Sequence, residues 1–213
     1  MLKRDELQTL FESKFLNVYD VRPGDKPYYN ASRRKAEDLP VLMSDDGRKS
    51  MVADAVSCVV VLNVEGKEPL LVMNQEFRFP IGQFVLSVPA GLIDKSDKVK
   101  EQPVFSAAIR ELKEETGLDF EDTDTIEMVN PLLFSTPGMT DESNAIVQIT
   151  LNRKSMPGLT QDGAEETELF DGFKLLTKEE ASKILKAGRD EDGFYYSVFT
   201  WIGLVCFVSG LWN

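Results

Sequence analysis

Glu111, Glu114 and Glu115 are the residues of this chain best placed to do chemistry. They fall in the run Arg110-Glu111-Leu112-Lys113-Glu114-Glu115-Thr116-Gly117, at i, i+3 and i+4. An α-helix advances about 100° per residue, so it would set the three carboxylates on one face. Like charges at that spacing repel, and the dipole at a helix C-terminus disfavours anions further. Oxygen donors crowded in this way suit a hard divalent cation, with coordination left over for water and a phosphate. The ordinary alternative is a solvated acidic face on which Arg110 offsets Glu114 at i+4. No histidine occurs in the 213 residues. Imidazole chemistry is therefore excluded, and proton transfer falls to carboxylates, lysine, tyrosine or metal-activated water.

The element that must carry these groups is legible. Phe105, Ala108, Ile109, Leu112 and Thr116 form an apolar stripe suited to packing on a sheet. Pro103 fits a first helical turn, and Gly117-Leu118 reads as a C-terminal glycine cap with its hydrophobic partner. The spacing predicts a helix from about Gln102 to Thr116. Upstream, Met51 to Asn63 reads as a buried strand, Pro69 to Asn74 as its antiparallel partner, and Phe84 to Gly91 as a further extended segment.

The composition sets bounds. The length fits one ordinary domain with or without an appendage, and 42% hydrophobic residues suffice for a core. A formal charge of -12 argues against nucleic acid or an anionic membrane as partner. An anionic substrate would therefore need a cation and particular arginines. Cys58 and Cys206 lie far apart in apolar settings and read as buried and reduced. The first residues lack the apolar core of a secretion signal, so a cytoplasmic location is expected.

The run Arg110 to Leu118, with Pro89-Ala90-Gly91-Leu92-Ile93-Asp94 before it, resembles the Nudix box, G-x5-E-x7-R-E-U-x-E-E-x-G-U with U aliphatic. Two departures stand out. Gly91 lies 19 positions before Arg110 instead of 14, which implies a loop insertion at Lys95 to Lys100. Counted back from Arg110, the isolated glutamate of the pattern falls on Gln102, with Glu101 as a substitute. The resemblance implies a Nudix-type α/β/α sandwich with a mixed central sheet, over residues 49–213 with C-terminal helices. It implies that Glu111, Glu115, Glu114 and the Ala90 carbonyl hold Mg²⁺ (or Mn²⁺), and that Arg110 orients the carboxylates.

The ADP-ribose pyrophosphatase branch of that family carries an N-terminal β-hairpin, here residues 1–48, that serves dimerisation and substrate binding. Leu2 to Ser13 reads as a short amphipathic helix or a frayed lead-in, Phe15 to Val21 and Tyr28 to Lys35 as the hairpin strands, and Pro23-Gly24-Asp25 as the turn. Tyr28, Tyr29, Arg33 and Arg34 become candidate contacts for a base ring and phosphates; a charge-defended sheet edge is the plain alternative. Arg78 matches an arginine that contacts the diphosphate, or else forms a surface ion pair. Ser87 stands where relatives often have glutamate. Glu142, ending the loop Ser135-Thr-Pro-Gly-Met-Thr-Asp-Glu, matches the glutamate proposed to activate water, with Asp141 in reserve; a mobile loop could bring such a base in on substrate binding.

Ile126 to Phe134 reads as a strand that Pro131 marks as bulged or at an edge. Pro157 to Glu168 reads as a solvated acidic loop, although Glu165 and Glu166 could approach the site. Thr177-Lys-Glu-Glu opens a helix to about Ala187. Tyr195 to Trp212, too short to span a bilayer, reads as a buried helix or dimer contact. The expected activity is hydrolysis of a nucleoside diphosphate sugar by a homodimer, ADP-ribose foremost, with UDP- or GDP-sugars or a non-catalytic ADP-ribose sensor as alternatives.

Overall fold

The computed structural model describes residues 3–22, 24–164 and 168–212. Leu2, Pro23, Glu165 and Glu166, named above, lie outside the described residues. The chain divides into two compact units: Met1–Asp54 with Leu132–Asn144, and Ala55–Pro131 with Ala145–Asn213.

The first unit is built on strands β1 (Gln8–Glu12), β2 (Asn17–Asp20) and β3 (Tyr29–Ser32), an antiparallel sheet in that order. The expected hairpin is β2–β3, paired Asn17↔Ser32 through Asp20↔Tyr29. The lead-in is not a helix beyond a single 3-10 turn at Arg4–Glu6; it becomes β1. Thr9 and Phe11 favour extended backbone, and pairing with β2 satisfies the peptide groups that an isolated short helix would leave open. A short helix, α1 (Asp45–Lys49), is capped by the Ser44 hydroxyl.

The second unit is a mixed α/β fold. Its strands are β4 (Ala55–Val64), β5 (Leu70–Arg78), β6 (Gln83–Ser87), β7 (Ala90–Leu92), β8 (Thr125–Phe134), β9 (Ser143–Arg153) and β10 (Phe170–Leu176). They form one sheet in the order β10-β5-β4-β9-β8, with β6 on β5 and β7 on β4. The pairs β4–β5, β5–β6, β4–β7 and β5–β10 are antiparallel. Asp54 bonds Ser143 and Glu65 bonds Arg153, so the register of β4 and β9 rises together and that pair is parallel. Proline-bearing β8 lies at the sheet's end, where a missing N–H costs little.

Strand β4 is buried along nearly its whole length, which requires cover on both faces. The box helix, α3 (Pro103–Thr116), packs on β4 and β7, while α5 (Val198–Ser209) packs on β4 and β6 and against α4 (Lys178–Ala187). Pro103 opens α3, and Gly117 closes it in the left-handed region at φ 73°. Helix α4 starts on the capping box of Thr177 and Glu180. The apolar C-terminal stretch is α5, with Leu204, Cys206 and Phe207 buried. No helix among the described residues is long and apolar enough to cross a membrane. The stretch between Gly91 and α3 contains a helical turn, α2 (Lys95–Lys98), capped reciprocally by Asp94 and Asp97.

Candidate functional site

Helix α3 does not present its acids to solvent. Ala107, Ala108, Leu112 and Thr116 are buried, and Glu111 and Glu115 go in with them at 6% and 3% exposure. Glu114 remains half-exposed. The physical reason is the angle. Glu111 and Glu115 each precede a stripe residue, Leu112 and Thr116, by one position, so both lie on the same flank of the stripe and a helix seated on β4 and β7 carries both beneath its edge.

Neighbouring elements receive them. Glu115 accepts the Asn74 side-chain amide of β5 at 2.5 Å and the Ala90 N–H of β7 at 3.3 Å. Glu111 lies against Gly91: a Cβ there would stand 1.9 Å from its carboxylate oxygen, so only glycine fits. Arg110 pairs with Glu111 and Glu114 at 2.7 Å each, donates to Leu92 O at 2.8 Å and reaches Asp97 at 3.1 Å.

One cation thus serves several anions, and the protonation equilibria show the excess. Burial pushes the Glu111 carboxyl up to about 7; Arg110 opposes this, and the charges of Glu114 and Glu168 add to it. Burial also raises Glu115 well above the usual range, with Glu168 adding to the rise and the Ala90 N–H opposing it. For Arg110, burial alone would favour the neutral form, but Glu111, Asp97 and Glu114 outweigh it and hold the guanidinium charged. Buried carboxylates that resist ionisation beside one another have the donor chemistry of a divalent-cation site. Among the described residues no trio of acids stands ready-gathered for an ion. Arg110 and Asn74 occupy oxygens that a cation would have to share.

Four participants were not singled out from sequence. Asp97, fully buried on α2, is the acid that grips Arg110. It lies six residues after Gly91, where the box pattern puts its isolated glutamate. The extra residues therefore follow that position instead of preceding it, and Gln102 and Glu101 do not take the part. Counting forward from Gly91 would have found it. Glu168 raises Glu76, Glu111 and Glu115 alike. It is brought there because Phe77 N–H binds Leu169 O at 2.8 Å and Phe170 pairs with Glu76. The preceding loop is docked as well: Thr160 N–H bonds Thr116 O at 3.1 Å, at the end of α3. Asn74 and Glu76, the remaining two, sit on β5 with Arg78, whose guanidinium lies 2.7 Å from Glu76.

The first unit gathers the remaining candidates. Arg33 pairs with Glu142 at 2.7 Å, both partly exposed. Arg34 is largely buried, 2.6 Å from Asp54 and 3.4 Å from Asp141. Tyr28 donates its hydroxyl to Gly138 O at 3.1 Å and Tyr29 is exposed on β3. Tyr28, Asn30, Phe134, Pro137 and Asp141 line a cavity of about 210 Å³.

Comparison with known proteins bears on this geometry. The NUDIX domain model matches residues 51–197. The chain belongs to the Nudix family. The ADP-sugar pyrophosphatase of Mus musculus is 32% identical over 105 residues, 49% of this chain and 44% of that one. The ADP-ribose pyrophosphatase of Bacillus subtilis is 26% identical over 180 residues, 84% of this chain and 80% of that one. Four curated relatives are matched over only 41% to 60% of their own length. A crystal structure described as an ADP compounds hydrolase superposes with a TM-score of 0.57 at 18% identity, covering 96% of this chain and 92% of that one, which shows the shared fold.

Proposed function

We propose that this Nudix protein hydrolyses the pyrophosphate of a nucleoside diphosphate sugar, ADP-ribose foremost, giving AMP and ribose 5-phosphate. The observation that carries the reading is the pair of buried carboxylates, Glu111 and Glu115, with Glu168 within electrostatic reach and Arg110 to balance them. The relatives described as ADP-sugar and ADP-ribose pyrophosphatases support the substrate class.

Glu111, Glu115, Glu114 and the Ala90 carbonyl would hold Mg²⁺ or Mn²⁺, with Glu168 added from the structure. Bound there, a divalent ion would neutralise the diphosphate and acidify a water. Arg110, fixed by Asp97, orients Glu111 and Glu114. Arg78 takes a phosphate oxygen. Tyr28, Tyr29 and Arg33 serve the base and phosphates, with Arg34, expected to join them, bracing their strand against Asp54 and Asp141, and the cavity beside Tyr28 supports a role for that ring. Glu142 takes the water's proton, with Asp141 behind it. Glu168 is the rival for that proton, favoured by its place among the box carboxylates. A homodimer is proposed on the exposed Leu10, Phe11, Phe15 and Leu16 of the first unit.

Incubation of purified protein with ADP-ribose and Mg²⁺ should release AMP, and E115Q should abolish it with the fold intact. Unaltered turnover in E115Q defeats the assignment. A panel of UDP- and GDP-sugars separates the substrate alternatives, and calorimetric binding without product would mark a sensor. Comparison of E142Q with E168Q decides the base.

A further inference from the structure

Glu76 occupies a costly position. It is 8% exposed on β5, within the electrostatic reach of Glu168 and Glu115, and burial already works against its charge. A carboxylate kept there contributes little net stability, since an apolar residue of similar size would avoid the desolvation. Its contacts suggest what it is for. Arg78, two residues on and therefore on the same face of the strand, places a guanidinium nitrogen 2.7 Å from the Glu76 carboxylate. Ser87 of β6 lies near enough to favour the charge of the same carboxylate, the register pairing Asn74↔Ser87 and Glu76↔Val85. Asn74, the next residue on that face, holds Glu115.

The backbone under Arg78 is fixed from the other side. Phe77 meets Phe79 and Phe84 edge-on, at 5.1 and 5.2 Å between ring centres. Gly82, left-handed at φ 65°, donates its N–H back to Arg78 O at 2.9 Å and closes the β5–β6 turn. The Arg78 side chain is thus pinned at its root and at one guanidinium nitrogen, while half of it stays open to solvent. A planar five-donor fork held at one edge presents its remaining donors in a fixed direction, the arrangement that suits a phosphate oxygen pair.

We infer that Glu76 is a positioning residue: from β5, it fixes the Arg78 guanidinium for the substrate's diphosphate. The carboxylate that relatives often carry at the Ser87 position is thereby supplied from the adjacent strand. This rests on the reading of Arg78 as the diphosphate contact, and the experiment separates the two.

Steady-state kinetics on ADP-ribose, with thermal melts alongside, are compared for wild type, E76Q, R78A, the double variant E76Q/R78A, and E76Q/S87E. E76Q should raise KM about tenfold, one charge-assisted contact's worth, with kcat changed less than about threefold. R78A should do the same or more, and the double variant should be no worse than R78A, because the two act as one unit. Returning a carboxylate from β6 in E76Q/S87E should recover most of the loss. Calorimetric titration of ADP-ribose into the same variants on an E115Q background should show the same order without turnover. Additive losses in the double variant, or a fall in kcat with a higher Mg²⁺ requirement, would make Glu76 act elsewhere and overturn the inference. An impaired R78A beside an unaffected E76Q overturns it alone; an unaffected R78A overturns the reading of Arg78 as well. If E76Q melts far below wild type, E76D at unchanged KM supplies the supporting result and E76D at E76Q's KM the opposing one.

Discussion

Two arginines in this chain each hold several carboxylates, to different ends. In the first unit Arg34 meets Asp54 and Asp141, and those acids are further satisfied. Asp54 accepts the Ser143 N–H and hydroxyl at 2.9 and 2.8 Å, and Asp141 accepts Ser32 at 3.1 Å. The Arg34 carbonyl in turn accepts Asn17 and Tyr19. Hydroxyl and amide donors answer Asp54 and one Asp141 oxygen, the other Asp141 oxygen being buried without a partner among the described residues, and the cluster ties β2, β3 and the 141–143 segment together. In the second unit Arg110 serves Asp97, Glu111 and Glu114, with Glu115 and Glu168 close by, and the acids act on one another. A network answered mostly by an arginine, hydroxyls and amides is a fastening. One left with surplus negative charge suits a cation, and the proposed hydrolysis of a diphosphate would be housed there.

The comparison breaks most sharply on rate. E115Q should lower kcat by about 10³-fold while the melting temperature holds or rises, since a buried like charge is removed. A large loss of stability with turnover preserved would make the two clusters alike. R34A should do the reverse in magnitude, leaving Asp54 and Asp141 buried without their cation, at about 3–5 kcal/mol in urea unfolding. If R34A melts like wild type, the first cluster is no fastening.

Titration sharpens the contrast. Burial raises Glu111 from 4.5 to about 7. Below the lower value both folded and unfolded states hold the proton; between the two only the folded state does. Stability should therefore fall as pH rises through that window, on the order of 1.4 kcal/mol per unit at most, with the loss complete above about 7. A divalent ion bound at Glu111, as proposed, would take the proton's place, so Mg²⁺ should raise the melting temperature more at pH 8 than at pH 6. E111Q should flatten both dependences, and equal Mg²⁺ shifts at the two pH values would argue against a cation there. The smallest effect tests the positioning of Arg110: D97N should cost about tenfold in kcat/KM, with E101Q and Q102E within about twofold of wild type. A reversal of that order would return the box glutamate's part to the residues before Pro103.

Much of this was written locally. The 3.6 repeat through Ala108 and Leu112, Pro103 and Gly117 at the ends of α3, and the Thr177 capping box each act within a few residues, and each stands in the structure where its signal lies. The edge position of β8 follows in the same way from Pro131. The N-terminal strand was missed because a short segment such as Gln8 to Glu12 is decided by what it pairs with. Asp97 was missed because an insertion displaced it relative to Arg110 while leaving its spacing from Gly91 intact.

Taken alone, the residues determined the box helix, its caps and the three glutamates suited to a divalent ion, because those depend on angle per residue and charge per turn; the diphosphate was implied by the resemblance to the Nudix box. Only the tertiary structure decided that Glu111 and Glu115 are buried, that Asn74 and Gly91 receive them, and that Asp97, Glu168 and the Glu76–Arg78 pair belong beside them. Those facts rest on approaches between segments distant in sequence, where packing and desolvation, not local periodicity, set which charges must share a space.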